Sequence, residues 1–120
     1  MSKKEKQVEP AKVRAHTMDT SSYTVTDKEA MLYALGLGFS TDPLREDDYK
    51  FTYELADGFT TFPTFSCVAQ KFDLFKGLLT TPGLPRFNPM MLLHGEQTTE
   101  VLAPMPPTCK LLIQPKTEDI

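Results

Sequence analysis

Proline interrupts this chain at ten of its 120 positions, and seven of those fall between residues 82 and 115. Each proline fixes φ at about −65° and removes a backbone donor, so long uninterrupted helices are not expected and ladders in the C-terminal third must be short. A chain of this length buries only a little over about 60% of the surface its unfolded form exposes, enough for one domain at most.

With 40% hydrophobic and 24% charged residues the composition is that of an ordinary globular protein. The formal charge of −3 gives no field that would draw in phosphate backbones, and "KKEKQ" at the N-terminus is the one basic cluster. Nucleic acid is therefore not an expected partner. No apolar run approaches the roughly 18 residues of a membrane span, and the N-terminus lacks the apolar core of a signal peptide, so a location inside a cell is expected. Cys67 and Cys109 stand in apolar surroundings and read as reduced, buried thiols. Together with His16 and His94 they have no metal-ligand spacing, and neither a metal nor a cofactor is expected.

Residues 1–22 are polar, mixed in charge and poor in large apolar side chains, the composition of a flexible tail. The acidic residues Glu5, Glu9 and Asp19 argue against a mitochondrial leader. In "YTVTDKEAMLYALGLG" Thr26 and Glu29 form a capping box, and Asp27 suits the positive end of a helix. A helix is expected over 27–36, with Ala30, Met31, Ala34 and Leu35 on its buried face and Gly36 or Gly38 ending it. "STDPLREDD" reads as a solvated polar loop.

"YKFTYEL" alternates apolar and polar residues from Tyr49 to Leu55, the period of a strand with one buried face. In residues 62–79 the apolar positions Phe65, Val68, Ala69, Phe72 and Phe75 recur near 3.6, predicting a largely buried helix with Pro63 near its start. "TTPGLPRFNP" must turn or extend, after which "MMLL" re-enters the core. A strand around 92–103 and another at "CKLLI" are expected, joined by the proline-rich "PMPP".

His94 and Glu96 are the nearest approach to an acid–base pair in the ordered part of the sequence. On a strand they would share a face, but no nearby nucleophile or third orienting group completes a triad, so they read as the polar edge of a pocket. Gly95 between them fits a bulge or the close approach of a ligand. Phe51, Phe59, Phe62, Phe65, Phe72 and Phe75 make either an apolar slot for an acyl chain or a packed core.

"YTVTDKEAMLYALGLG", "YKFTYEL", "FPTF", "PGLPRFN" and "LLHGEQ" followed by "PMPP" occur in one order over about residues 23–114. Together they resemble the N-terminal half of the 2-enoyl-CoA hydratase 2, or MaoC-like, family found in peroxisomal multifunctional enzyme type 2. The resemblance implies a hot-dog unit, a curved antiparallel sheet around a central helix. It further implies hydration of trans-2-enoyl-CoA to (3R)-3-hydroxyacyl-CoA in fatty acid β-oxidation, a lyase reaction whose catalytic Asp and His lie in a second unit, in a D-x-N-P-x-H-x-D motif absent here. No catalytic residue is therefore expected in this chain, which should be inactive by itself. Phe62, Pro63, Phe65, His94, Gly95, Glu96 and Gln97 are the candidate substrate-binding residues.

The expected fold class is thus α+β, a partial hot-dog fold truncated before its last strands. Its flexible tail spans 1–22, the incomplete unit 23–114 and a C-terminal tail 115–120. Such a sheet leaves an open edge, so a protein partner or second copy should complete it, with an acyl-CoA thioester as ligand of the complete enzyme. The alternative is a degenerate hot-dog fragment kept as a structural subunit of a larger assembly. A small acyl-binding homodimer is a third reading. The family implies a peroxisomal location, although "TEDI" is no peroxisomal signal and the mitochondrion and cytoplasm stay open.

Overall fold

The computed structural model describes residues 7–70 and 74–120. These carry helices α1 (Pro10–Ala15), α2 (Asp27–Gly36), α3 (Tyr49–Thr52), α4 (Phe65–Ala69) and α5 (Leu74–Thr80), and strands β1 (Ser21–Val25) and β2 (Cys109–Ile113). Single 3-10 turns occupy Glu46–Asp48 and Pro89–Met91. The class is α+β, and β1 pairs with β2 in a two-stranded antiparallel sheet. The chain resolves into two compact units. One comprises Met1–Ser21, Phe72–Gln97 and Ile113–Ile120, the other Ser22–Lys71 and Thr98–Leu112, each as far as its residues are described.

Helix α2 starts and stops where the sequence places it. The Thr26 hydroxyl accepts from the Glu29 amide at 3.3 Å, and Glu29 Oε2 accepts from the Thr26 amide at 3.2 Å, so two helix-end donors are satisfied reciprocally. Of the two glycines it is Gly38, at φ 96°, that turns the chain out. The Phe39 amide donates to Ala34 and the Gly38 amide to Leu35, the paired bonds of a left-handed helix end. Ala30 and Ala34 are buried as expected, but Leu35 is 49% exposed. Replacing Thr26 by alanine should cost about 1 kcal/mol in equilibrium urea denaturation, with serine restoring most of it. Equal values for the two variants would mean that the cap does not hold α2.

The strand expected at 49–55 is not formed. The acidic turn Glu46–Asp48 leads directly into α3, the Tyr53 amide donates to the Tyr49 carbonyl at 2.9 Å, and Tyr53 and Leu55 are exposed. Three alternations are too few to fix a period when local i→i+4 bonds satisfy the backbone. Nor is the preceding acidic cluster wholly solvated: Asp48 is 5% exposed and its carboxylate accepts from the Ser40 amide at 2.9 Å, holding Ser40 at φ 57°.

The long buried helix is replaced by two short ones. Pro63 sits in the turn before α4, whose buried residues are Phe65 and Ala69. Val68 and Phe75 are about half exposed, and Phe72 lies outside the described residues. The strand expected at 92–103 is also absent: the segment is irregular, and Met90, Met91 and Leu93 are at least 79% exposed rather than buried. A strand exists only through a ladder, and among the described residues the one ladder is that of β1 with β2. Residues 109–113, expected as a strand, are β2. Its partner β1 lies just upstream of α2, in a stretch that the sequence reading did not assign to a strand.

In the unit of Ser22–Lys71 and Thr98–Leu112 the core is Val25, Phe65 and Ala69, with Tyr23, Tyr33, Met105, Cys109 and Leu111 packed against it. Alternation along β1 and β2 puts Tyr23, Val25, Cys109 and Leu111 inward. The Phe65 ring lies 5.3 Å from that of Tyr33, whose hydroxyl meets that of Thr64 at 2.8 Å. In the other unit α1 forms within the stretch read as a tail. Its Val13 is buried, and the Glu9 amide ahead of it donates to Gly83 at 2.9 Å. Both cysteines are free, and Cys67 is exposed rather than buried.

Candidate functional site

An open cavity of about 1020 Å³ lies in the unit of Ser22–Lys71 and Thr98–Leu112. Its size is at the upper end of the roughly 300–1,000 Å³ of small-molecule sites. Helix α3 contributes Lys50 and Phe51, the following turn Thr60, Thr61 and Pro63, and α4 Ser66. The irregular stretch 100–105 forms a wall, and Leu111 and Leu112 of β2 complete the lining.

Two contacts hold that wall. The buried Thr61 hydroxyl donates to the Met105 carbonyl at 2.6 Å, and Cys67 Sγ meets the Thr99 hydroxyl at 3.2 Å. The Thr60 amide donates to Lys50 at 2.9 Å and fixes α3 against the turn. Behind Phe51 the rings of Phe39, Phe51 and Phe62 stand 4.9–5.3 Å apart in tilted and edge-on contacts. The lining is predominantly aliphatic and aromatic, with threonine and serine hydroxyls and two ionisable side chains, Lys50 and Glu100. Neither is in an ion pair among the described residues, and Lys50 Nζ lies 5.1 Å over the Phe51 ring.

The candidate residues are distributed unevenly. Pro63 lines the cavity, Phe62 stands in the ring cluster behind it, and Phe65 belongs to the core beneath α4. His94, Gly95, Glu96 and Gln97 are exposed on an irregular segment of the other unit, and nothing lies within 4 Å of where a Gly95 Cβ would stand. Of the phenylalanines read as a slot or a core, Phe51 and Phe62 are in ring contact, Phe65 belongs to the buried core, Phe75 is half exposed, and Phe72 lies outside the described residues. Phe39 joins that ring contact. It follows the helix-ending Gly38, a position where an apolar side chain commonly packs, and that is the signal which marks it in the sequence.

Away from the cavity, the Tyr23 hydroxyl donates to Glu29. That hydrogen bond, with burial and the carboxylate charge adding to it, raises the phenol above its ordinary pKa. Among the described residues no three His, Cys, Asp or Glu side chains gather as a metal site, and no helix is long and apolar enough to cross a membrane.

Comparison with known families gives a match to the MFE-2 hydratase 2 N-terminal domain over residues 23–120. This chain belongs to that family. The resemblance read from the ordered motifs is thereby borne out. Among relatives of this MFE-2 hydratase 2 N-terminal domain, the peroxisomal multifunctional enzyme type 2 of Mus musculus is 38% identical over 106 residues, 88% of this chain and 14% of that protein. The peroxisomal enoyl-CoA hydratase 2 of Arabidopsis thaliana is 33% identical over 101 residues, 82% of this chain and 32% of that protein. The 3-hydroxyacyl-thioester dehydratase Y of Mycobacterium tuberculosis is 31% identical over 97 residues, 79% of this chain and 30% of that protein. The chain thus spans between 14% and 32% of the length of these relatives.

Proposed function

We propose that this chain is the acyl-tail-accommodating, non-catalytic part of a 2-enoyl-CoA hydratase 2, acting on trans-2-enoyl-CoA in fatty acid β-oxidation. The observation that carries the reading is the large aliphatic and aromatic cavity in a chain of this family, whose lining holds no Asp–His pair. Its ionisable groups are one amine and one carboxylate, without histidine. The D-x-N-P-x-H-x-D pattern of the family's catalytic unit does not occur in this sequence.

On this reading β1, β2 and α2 are part of a hot-dog unit whose sheet a protein partner or second copy completes, and the catalytic pair belongs to a different unit. The peroxisomal relatives support a peroxisomal location. Incubation of the full chain with crotonyl-CoA and with a long trans-2-enoyl-CoA, followed by loss of the conjugated absorbance, should give no turnover, while long-chain acyl-CoA should bind saturably. Unaided hydration would overturn the non-catalytic assignment.

One observation favours a second reading, a structural subunit in a larger assembly: Met90, Met91 and Leu93 form an exposed apolar run beside His94. A stable complex whose formation is indifferent to acyl-CoA, seen by size-exclusion chromatography, would select it.

A further inference from the structure

We propose that the cavity selects an aliphatic chain carrying a negative charge at one end, with Lys50 as the group that holds that charge. The inference deepens the acyl-tail reading and rests on it. Lys50 is an exposed cation on the cavity lining, unpaired with any carboxylate among the described residues, and its ammonium lies over the Phe51 ring. That ring is locked between Phe39 and Phe62, and the Lys50 carbonyl is held by the Thr60 amide, so both the backbone and the surface under the cation are fixed. A compact ammonium with three donors is a point charge suited to a carboxylate or a phosphate alike. On the same lining Leu102, Met105 and Leu111 offer hydrocarbon surface that water would leave on binding. Glu100, on the same lining, disfavours an anion at its own position, so the charged end is directed to Lys50 and the chain runs along the wall.

The charge has two natural sources, a free fatty carboxylate and the phosphates of an acyl-CoA. Binding of dodecanoate, dodecanoyl-CoA and dodecanol to the full chain, each below its aggregation concentration, separates them. The quantity to read is the affinity of each anion relative to dodecanol. Lys50→Gln should lower that ratio by about two- to fivefold, and Lys50→Arg should preserve it. A fall with dodecanoate assigns the carboxylate as the recognised anion; a fall with dodecanoyl-CoA alone assigns the phosphates; either supports the proposal. A ratio unchanged in Lys50→Gln overturns the role of Lys50 while leaving the acyl-tail reading intact. No binding by any of the three ligands sinks both. Lys50 is exposed and outside the core, so circular dichroism of each variant should match that of the parent.

Discussion

Phe65→Ala is expected to cost about 3–5 kcal/mol and to unfold the unit of Ser22–Lys71 and Thr98–Leu112 under conditions where the parent is folded. Phe65 is one of three buried residues in that unit's apolar cluster, and the other two, Val25 and Ala69, are small. The remaining members are only partly buried, so no neighbour can close over the space the ring leaves. The loss also removes the tilted contact with Tyr33. Against the roughly 5–15 kcal/mol that holds a whole domain together, a small unit cannot absorb it. With no tryptophan in the chain, tyrosine emission follows urea unfolding, and Tyr23 and Tyr33 both pack on this cluster. Val68→Ala on the same helix is the control: it is 53% exposed and should change stability by about 0.5 kcal/mol or less. Equal losses in the two variants would mean that α4 does not bury the face described here.

What the sequence disclosed and what it hid follow one division. Helix α2 was legible to the residue at its start because a capping box and a glycine-ended helix are local devices, complete within a few residues. Strand β2 was legible from its apolar run between proline-rich breakers. By contrast, residues 49–55 and 92–103 read as strands from composition and alternation, yet a strand requires a partner that no local pattern contains. The same division holds at the cavity. Phe51 could be picked out as a pocket-forming type and Pro63 through the family resemblance, but the wall of residues 100–105 is set in place by Thr61 and Met105, 44 positions apart, which no local signal announces. His94 to Gln97 belong to a motif that marks the family. Their side chains nonetheless stand exposed on an irregular segment, so family membership and site geometry are separate inferences.

Gly83→Ala should be the most damaging single-methyl change in the other unit, at a cost of about 2–5 kcal/mol. Gly83 holds φ at 90°, a conformation that a Cβ penalises by itself. The added carbon would also stand 2.8 Å from the Glu9 carbonyl oxygen, 2.9 Å from Lys12 Cβ and 3.2 Å from Val13 Cγ2. That carbonyl accepts from the Lys12 and Val13 amides, and the Glu9 amide is itself bonded to Gly83. The methyl therefore strikes the first hydrogen-bonded turn of α1 at its acceptor, where yielding would break the helix rather than a flexible side chain. The expected result is that α1 detaches: amide exchange at Lys12, Val13 and His16 accelerates steeply, while the amides of α2 keep their protection. Gly95→Ala, with no atom within 4 Å of its Cβ position and no positive φ, should leave exchange at α1 unchanged. Protection of α1 that survives Gly83→Ala would show that the helix is held by something other than its seat on the 82–83 turn.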